Sequence, residues 1–180
     1  MTAIVALTFD NKVWMGGDSA GTDEYYSQNI RSDSKIFIKD DFIIGFTDSY
    51  RMGQILKYSV KYPKQPPTMS NEEYMCTLFL EKVRHSFEKL GYLKKDSEGQ
   101  QLGGQFIVGY KNCIFIVYPD FQIETLQKNY AACGSGSDIC LGSLFATENE
   151  QNPVNRIEKA LEAASTFNAS VRPPFIILHK

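Results

Sequence analysis

The chain has 180 residues, enough to bury a substantial core without disulfides or metals as staples. Its 19 basic and 21 acidic side chains give a net charge of −2 with no basic block, which argues against nucleic acid or an anionic membrane as partner. Four cysteines without a CxxC pair and only two histidines argue against a Cys/His metal site, so neither metal nor cofactor is expected.

In chain order, residues 1–20 lack the basic start and long apolar run of a signal peptide, and no stretch reaches membrane length, so a cytoplasmic location is expected. Ala3–Phe9 is β-rich, Asp10-Asn11 supplies turn chemistry, and Val13–Gly17 reads as the returning strand. Lys35–Lys39 and Phe42–Thr47 flank Asp40-Asp41 as a second hairpin. Spacing turns helical over Tyr50–Tyr62, with Met52, Ile55, Leu56 and Val60 as core positions. Ser70 with Glu73 three residues on forms a capping box, and the helix after it puts Met75, Leu78, Phe79, Val83, Phe87 and Leu90 on one apolar face, with Tyr74 on its exposed side.

LKKDSEGQQLGG reads as a loop, and GQFIVGY, NCIFIVYP and FQIETL as a strand meander in which Cys113 is a small buried hydrophobe. YAACGSGSD is a strand, with Cys133 buried in it, that enters a Gly-Ser turn and then a helix through Phe145. Arg156–Thr166 is helical by spacing, and PFIILHK closes as a strand. This order suits an α+β fold, one domain over 1–180 with two sheets between two helical layers: a four-layer αββα sandwich.

Thr2 directly follows the initiator methionine at the head of the first strand. Removal of Met1, plausible because threonine is small, would give one residue both a hydroxyl nucleophile and a free α-amine to act as its base. Further along, GSGSD lacks the GK[ST] of a P-loop.

Five blocks, TAIVAL, GGDSAGT, KIFI, IIGF and GSGSDICLGSL, occur in an order and at spacings that resemble the proteasome β-subunit and HslV family of N-terminal-nucleophile hydrolases, over essentially the whole chain. The resemblance implies Thr2 as nucleophile, Asp18 and Lys35 as the catalytic acidic residue and lysine, and Gly45 as a backbone oxyanion donor. It further implies Ser135 as the serine that hydrogen-bonds the N-terminal amine, and Asn168 and Ser170 as supporting groups around Thr2. Asn168 stands where relatives usually have aspartate, which removes a charge. Thr22, Ile43 and Thr47 are implied as substrate-contacting positions, with Ile43 giving an apolar lining to the pocket for the residue before the cut. FTDS, after Gly45, departs from the small glycine-containing turn of relatives, so Asp48 and Ser49 alter the cleft.

The implied activity is that of a threonine peptidase on peptide or unfolded protein, in a homo-oligomeric ring, with an ATP-dependent unfoldase as a possible partner. With no pro-segment ahead of Thr2, methionine aminopeptidase would stand in for autocleavage. Tyr74 is an aromatic anchor candidate for the ring interface. Two other readings stay open: a catalytically silent scaffold of the same family, and an amidase acting on a small molecule.

Overall fold

The computed structural model describes residues 2–23, 25, 27–96 and 99–180. Strand β1 (Ile4–Phe9) turns through Asp10 and Asn11, both at positive φ, into β2 (Lys12–Gly17). These two form the centre of a four-stranded antiparallel sheet whose edges are β12 (Tyr130–Cys133), beside β1, and β13 (Ile176–His179), beside β2. The second sheet runs in the order β11 (Ile123–Thr125), β10 (Cys113–Val117), β9 (Phe106–Tyr110), β6 (Phe42–Phe46), β5 (Ile36–Lys39).

Side-chain alternation sorts residues into layers. Ile4, Ala6, Val13, Met15, Ile36, Ile43 and Ile107 meet between the sheets. Val5 and Leu7 face outward onto α4 (Ser137–Ala146) and α5 (Pro153–Phe167), packing against Cys140, Leu144, Ile157 and Leu161. Phe42, Ile44 and Phe46 face the opposite way, onto the helices that begin as α1 (Tyr50–Gln54) and α2 (Asn71–Tyr74). The expected αββα sandwich is the observed architecture.

Both outer helices widen after one turn, α1 into Ile55–Ser59 and α2 into Met75–Phe79, where bonds run from residue i to i+5 before α3 (Leu80–Lys89) resumes regular spacing. This corrects three sequence expectations. The shifted phase leaves Leu78 and Leu90 at the surface, while Tyr74 is fully buried with its hydroxyl donated to the Pro63 carbonyl at 2.5 Å. Tyr74 is therefore core, not an interface anchor.

Two smaller differences concern the strands. Lys94–Asp96 (β7) and Gly99–Gln101 (β8) pair as a ribbon within the stretch read as a loop; Ser97 and Glu98 of that stretch lie outside the described residues. Cys133 is buried as expected, but Cys113, at the start of its strand, is only half-buried.

Candidate functional site

Strand β1 begins between β12 and β2, so the residues just before it emerge beside the ends of both partners. Ile4 pairs with Cys133 on one side and Gly17 on the other, which sets Thr2 against the Gly134–Gly136 turn and near Asp18. The turn approaches so closely that a Cβ at Gly134 would overlap the Thr2 carbonyl oxygen, and Gly134 sits at φ +94. Only glycine meets both conditions. The Gly136 N–H donates to the Thr2 carbonyl at 3.1 Å, and the Thr2 nitrogen donates to Ser135 Oγ at 3.1 Å. Met1 lies outside the described residues.

Asp18, at the end of β2, is buried and fully engaged. Its Oδ1 accepts from Lys35 Nζ at 2.8 Å and from the Ala3 N–H at 3.0 Å. Its Oδ2 accepts from the Ala20 and Arg172 N–H groups at 3.0 and 3.4 Å. Lys35 enters from the start of β5 and is 3% exposed. Burial pulls its ammonium below the ordinary lysine range, against the opposing pull of Asp18. One carboxylate thus ties the lysine to the backbone that carries Thr2.

Asn168, just past α5, donates Nδ2 to the Ser135 carbonyl at 2.7 Å and accepts the buried Ser170 N–H on Oδ1 at 2.9 Å. It braces the turn that holds Thr2, using a donor that an aspartate does not have.

Thr2 and Lys35 open into a cleft of about 180 Å³, walled by Ala20, Gly21 and Thr22 of β3 (Ala20–Thr22), by Arg31, and by Phe46, Thr47, Asp48 and Tyr50. Among the described residues, strand β3 pairs only with β4 (Gln28–Ile30). Thr22 Oγ1 is buried with no hydrogen-bond partner among the described residues, a cost that a bound donor or acceptor would relieve. Thr47 lines the cleft, but its hydroxyl is already engaged by the Gln105 carbonyl at 2.9 Å and Asp48 Oδ2 at 2.5 Å.

Two expected site residues are not there. Gly45 lies within β6, paired with Ile36 and Ile107, and a Cβ on it would meet Ile4 and Met15 in the inter-sheet core. Ile43, two residues earlier on the same face, packs in that core as well. The Ile43 side chain points away from the cleft because alternate residues of a strand face opposite sides, and the backbone of Gly45 lies within the paired ladder of the sheet. The backbone at the cleft is the turn that follows. There the Thr47 N–H donates to Gln105 O and the Ser49 N–H to Thr47 O, while the N–H of Asp48, at φ +62, has no acceptor among the described residues. Sequence reasoning misses Arg31, Tyr50 and the Asp48 N–H; the only available signal is the departure of FTDS from a glycine turn.

The architecture has close counterparts among solved structures. Thiobacillus denitrificans BPH, solved in complex with epoxomicin, superposes with a TM-score of 0.79 at 18% identity, covering 99% of this chain and 98% of that one. The fold is the proteasome-like one. HslV from Trypanosoma brucei matches at a TM-score of 0.69 and 16% identity over 99% of this chain and 98% of its own. Anbu, the ancestral β-subunit from Yersinia bercovieri, matches at 0.68 and 12% over 99% and 81%. No protein-family model matches the chain, and no curated protein matches its sequence. The proteasome-like fold, that of N-terminal-nucleophile hydrolases, is thus carried by geometry where overall identity is low.

Proposed function

We propose that the protein is a proteasome-like threonine peptidase that cleaves peptide bonds with Thr2 once Met1 is removed. The observation that carries this reading is the convergence on one residue: Thr2 N on Ser135 Oγ at 3.1 Å, and Asp18 Oδ1 shared between Lys35 Nζ and the neighbouring Ala3 N–H. In the processed chain the Thr2 nitrogen is a primary amine, a group that titrates at roughly 7.7–8.0 and is able to take the proton of its own hydroxyl. The Thr2 oxygen attacks the peptide carbonyl carbon, and the Asp48 N–H replaces Gly45 as the proposed donor to the oxyanion. The C–N bond then breaks, the leaving amine takes the proton, and water hydrolyses the Thr2 ester. The unpaired Thr22 hydroxyl on β3 suits a peptide lying alongside as an added strand.

Epoxomicin, named with one structural neighbour, supplies the test. A peptide epoxyketone reacts with hydroxyl and amine together, so protein lacking Met1 is expected to gain one inhibitor mass at Thr2. Protein retaining Met1, and Thr2→Ala, are expected to gain none. Equal labelling of Thr2→Ala would remove Thr2 from the reaction.

A homo-oligomeric ring enclosing the clefts is the assembly proposed, with an ATP-dependent unfoldase as a possible feeder. With Tyr74 buried, support comes from other apolar side chains at the surface: Ile30 is 54% exposed on the β3–β4 hairpin and Phe167 78% exposed at the end of α5. Light scattering at micromolar concentration is expected to give a mass many times that of the 20.4 kDa chain. A stable monomer would overturn the ring and favour an open cleft acting on a small amide. Among the described residues no helix is long and apolar enough to cross a membrane.

A further inference from the structure

One wall of the Thr2 cleft is built from hydrogen-bond donors, in place of the apolar lining expected from Ile43. Arg31 reaches it by laying its stem across Gly21, where a Cβ would stand 2.7 Å from Arg31 Cδ. Its guanidinium carbon lies 3.7 Å from the centroid of the Tyr50 ring, and Nε and Nη2 donate to the two oxygens of Asp33 at 2.7 and 2.6 Å. Stacking and the two-pronged bond fix the plane of the guanidinium and turn Nη1, which has no partner among the described residues, away from Asp33. Tyr50 Oη is likewise buried and unpartnered among the described residues. Burial pushes the Tyr50 hydroxyl up to about 12, so it remains a neutral donor at working pH.

The lining carries two cations, Arg31 and Lys35, and two carboxylates, Asp23 and Asp48, so the placement of donors at this wall, not net charge, is what suits an anion. Arg31 and Lys35 line the cleft, whereas the carboxylates that pair with them, Asp33 and Asp18, do not. The two carboxylates that do are otherwise engaged. Asp23 Oδ1 accepts the Tyr25 and Ser27 N–H groups at 2.9 and 2.8 Å, and Asp48 is held by the Thr47 hydroxyl.

The geometry points to a cleft that accepts an acidic side chain, glutamate or aspartate, on the acyl side of the cleaved bond, with Arg31 as the specificity-determining residue. This rests on the Thr2 peptidase reading: the substrate acyl group must sit on Thr2 for the preceding side chain to meet Arg31. A carboxylate there accepts from Nη1 in a charge-assisted bond and from Tyr50 Oη, satisfying both unpaired donors. A leucine leaves the buried Tyr50 Oη unpaired and leaves Nη1, on a side chain 39% exposed, to water, and an arginine brings a third cation beside Arg31 and Lys35.

Four fluorogenic peptides identical except for a final Glu, Gln, Leu or Arg, offered to protein lacking Met1, test this. We expect kcat/KM to be at least about tenfold higher for Glu than for Leu, with Gln between them and Arg lowest; sites built around hydrogen bonds discriminate at least this strongly. In Arg31→Gln the Glu-to-Leu ratio is expected to fall about tenfold, and in Tyr50→Phe, which removes one oxygen, several-fold. Arg31→Lys, which keeps the charge and loses the fork, serves as second variant, with circular dichroism reporting the fold. A Leu preference, equal rates, or failure to cleave the Glu peptide while epoxomicin still labels Thr2 would overturn this inference alone. No cleavage of any peptide together with no labelling overturns the peptidase reading as well. A ratio unchanged in folded Arg31→Gln and Arg31→Lys removes Arg31 from the role.

Discussion

Lys35→Ala is expected to lose turnover by on the order of 10³-fold while remaining folded, the scale seen when one preorganised electrostatic group is removed from a reacting centre. Among the described residues the ammonium is the only side-chain cation bonded to Asp18, and it lines the same cleft as Thr2. On the Thr2 reading, its loss strips positive charge from the place where negative charge would develop. Breaking a buried ion pair by deleting one partner costs about 3–5 kcal/mol when the remaining charge is abandoned. Here Asp18 keeps three backbone donors, from Ala3, Ala20 and Arg172, so the lower end applies, about 3 kcal/mol. For a chain of this size that is a fall in Tm of roughly 6–12 °C. Turnover of the best peptide substrate, measured well below the new Tm, separates the two effects. Turnover near wild type in the folded variant would deny Lys35 its role, and collapse of the fold with no native state to assay would mean that Asp18 is not held by its backbone donors.

Residues whose placement follows from local backbone rules are readable in the sequence; those whose placement depends on phase are not. The turn at Asp10-Asn11 and the uninterrupted apolar run of β1 fix the central hairpin, and the hairpin carries Thr2 and Asp18 to one end of a sheet. Lys35, at the head of an apolar strand, and the Gly134–Gly136 turn are placed by similar backbone rules, but their part in a site is legible only through the family resemblance. IIGF is not so placed. Phe42–Phe46 is buried on both faces, so no polar alternation marks which side faces the cleft, and a shift of one residue exchanges the faces. Nothing in the strand's own pattern therefore corrects the resemblance that names Gly45 and Ile43 as site residues when they belong to the core.

Leu78 and Leu90 fail through phase of another kind, whereas Tyr74, in the regular turn before the widened one, is buried by its contact with the Pro63 segment. A wide turn over Met75–Phe79 rotates the rest of the helix against any 3.6-residue count begun at Ser70. Arg31 carries no signal, because a lone arginine in NIRSDS reads as a solvated loop until Gly21 is seen making room for it.

Gly134→Ala should be the most damaging single-methyl change at this site. The residue sits at φ +94, which costs an L-residue about 1–3 kcal/mol. The added Cβ would also overlap the Thr2 carbonyl oxygen and lie 2.9 Å from its carbon. Those are backbone atoms, so no rotamer change relieves the overlap; either Thr2 or the turn must move. Overpacking of this kind costs about another 1–3 kcal/mol, which brings the total to about 4 kcal/mol and the fall in Tm to roughly 10 °C. Movement of Thr2 breaks the bonds that orient it, from the Gly136 N–H to its carbonyl and from its nitrogen to Ser135 Oγ. Labelling of Thr2 by epoxomicin is therefore expected to slow by more than about tenfold even where the variant is fully folded, a separation that a purely structural glycine would not produce. Gly142, exposed within α4 with nothing within 4 Å of where an added methyl would sit, provides the control. Gly142→Ala should be neutral, or more stable by up to about 1 kcal/mol through helix propensity, with labelling unchanged. If Gly134→Ala behaves like Gly142→Ala in both melting temperature and labelling rate, the close contact between this turn and Thr2 does not hold the nucleophile in place.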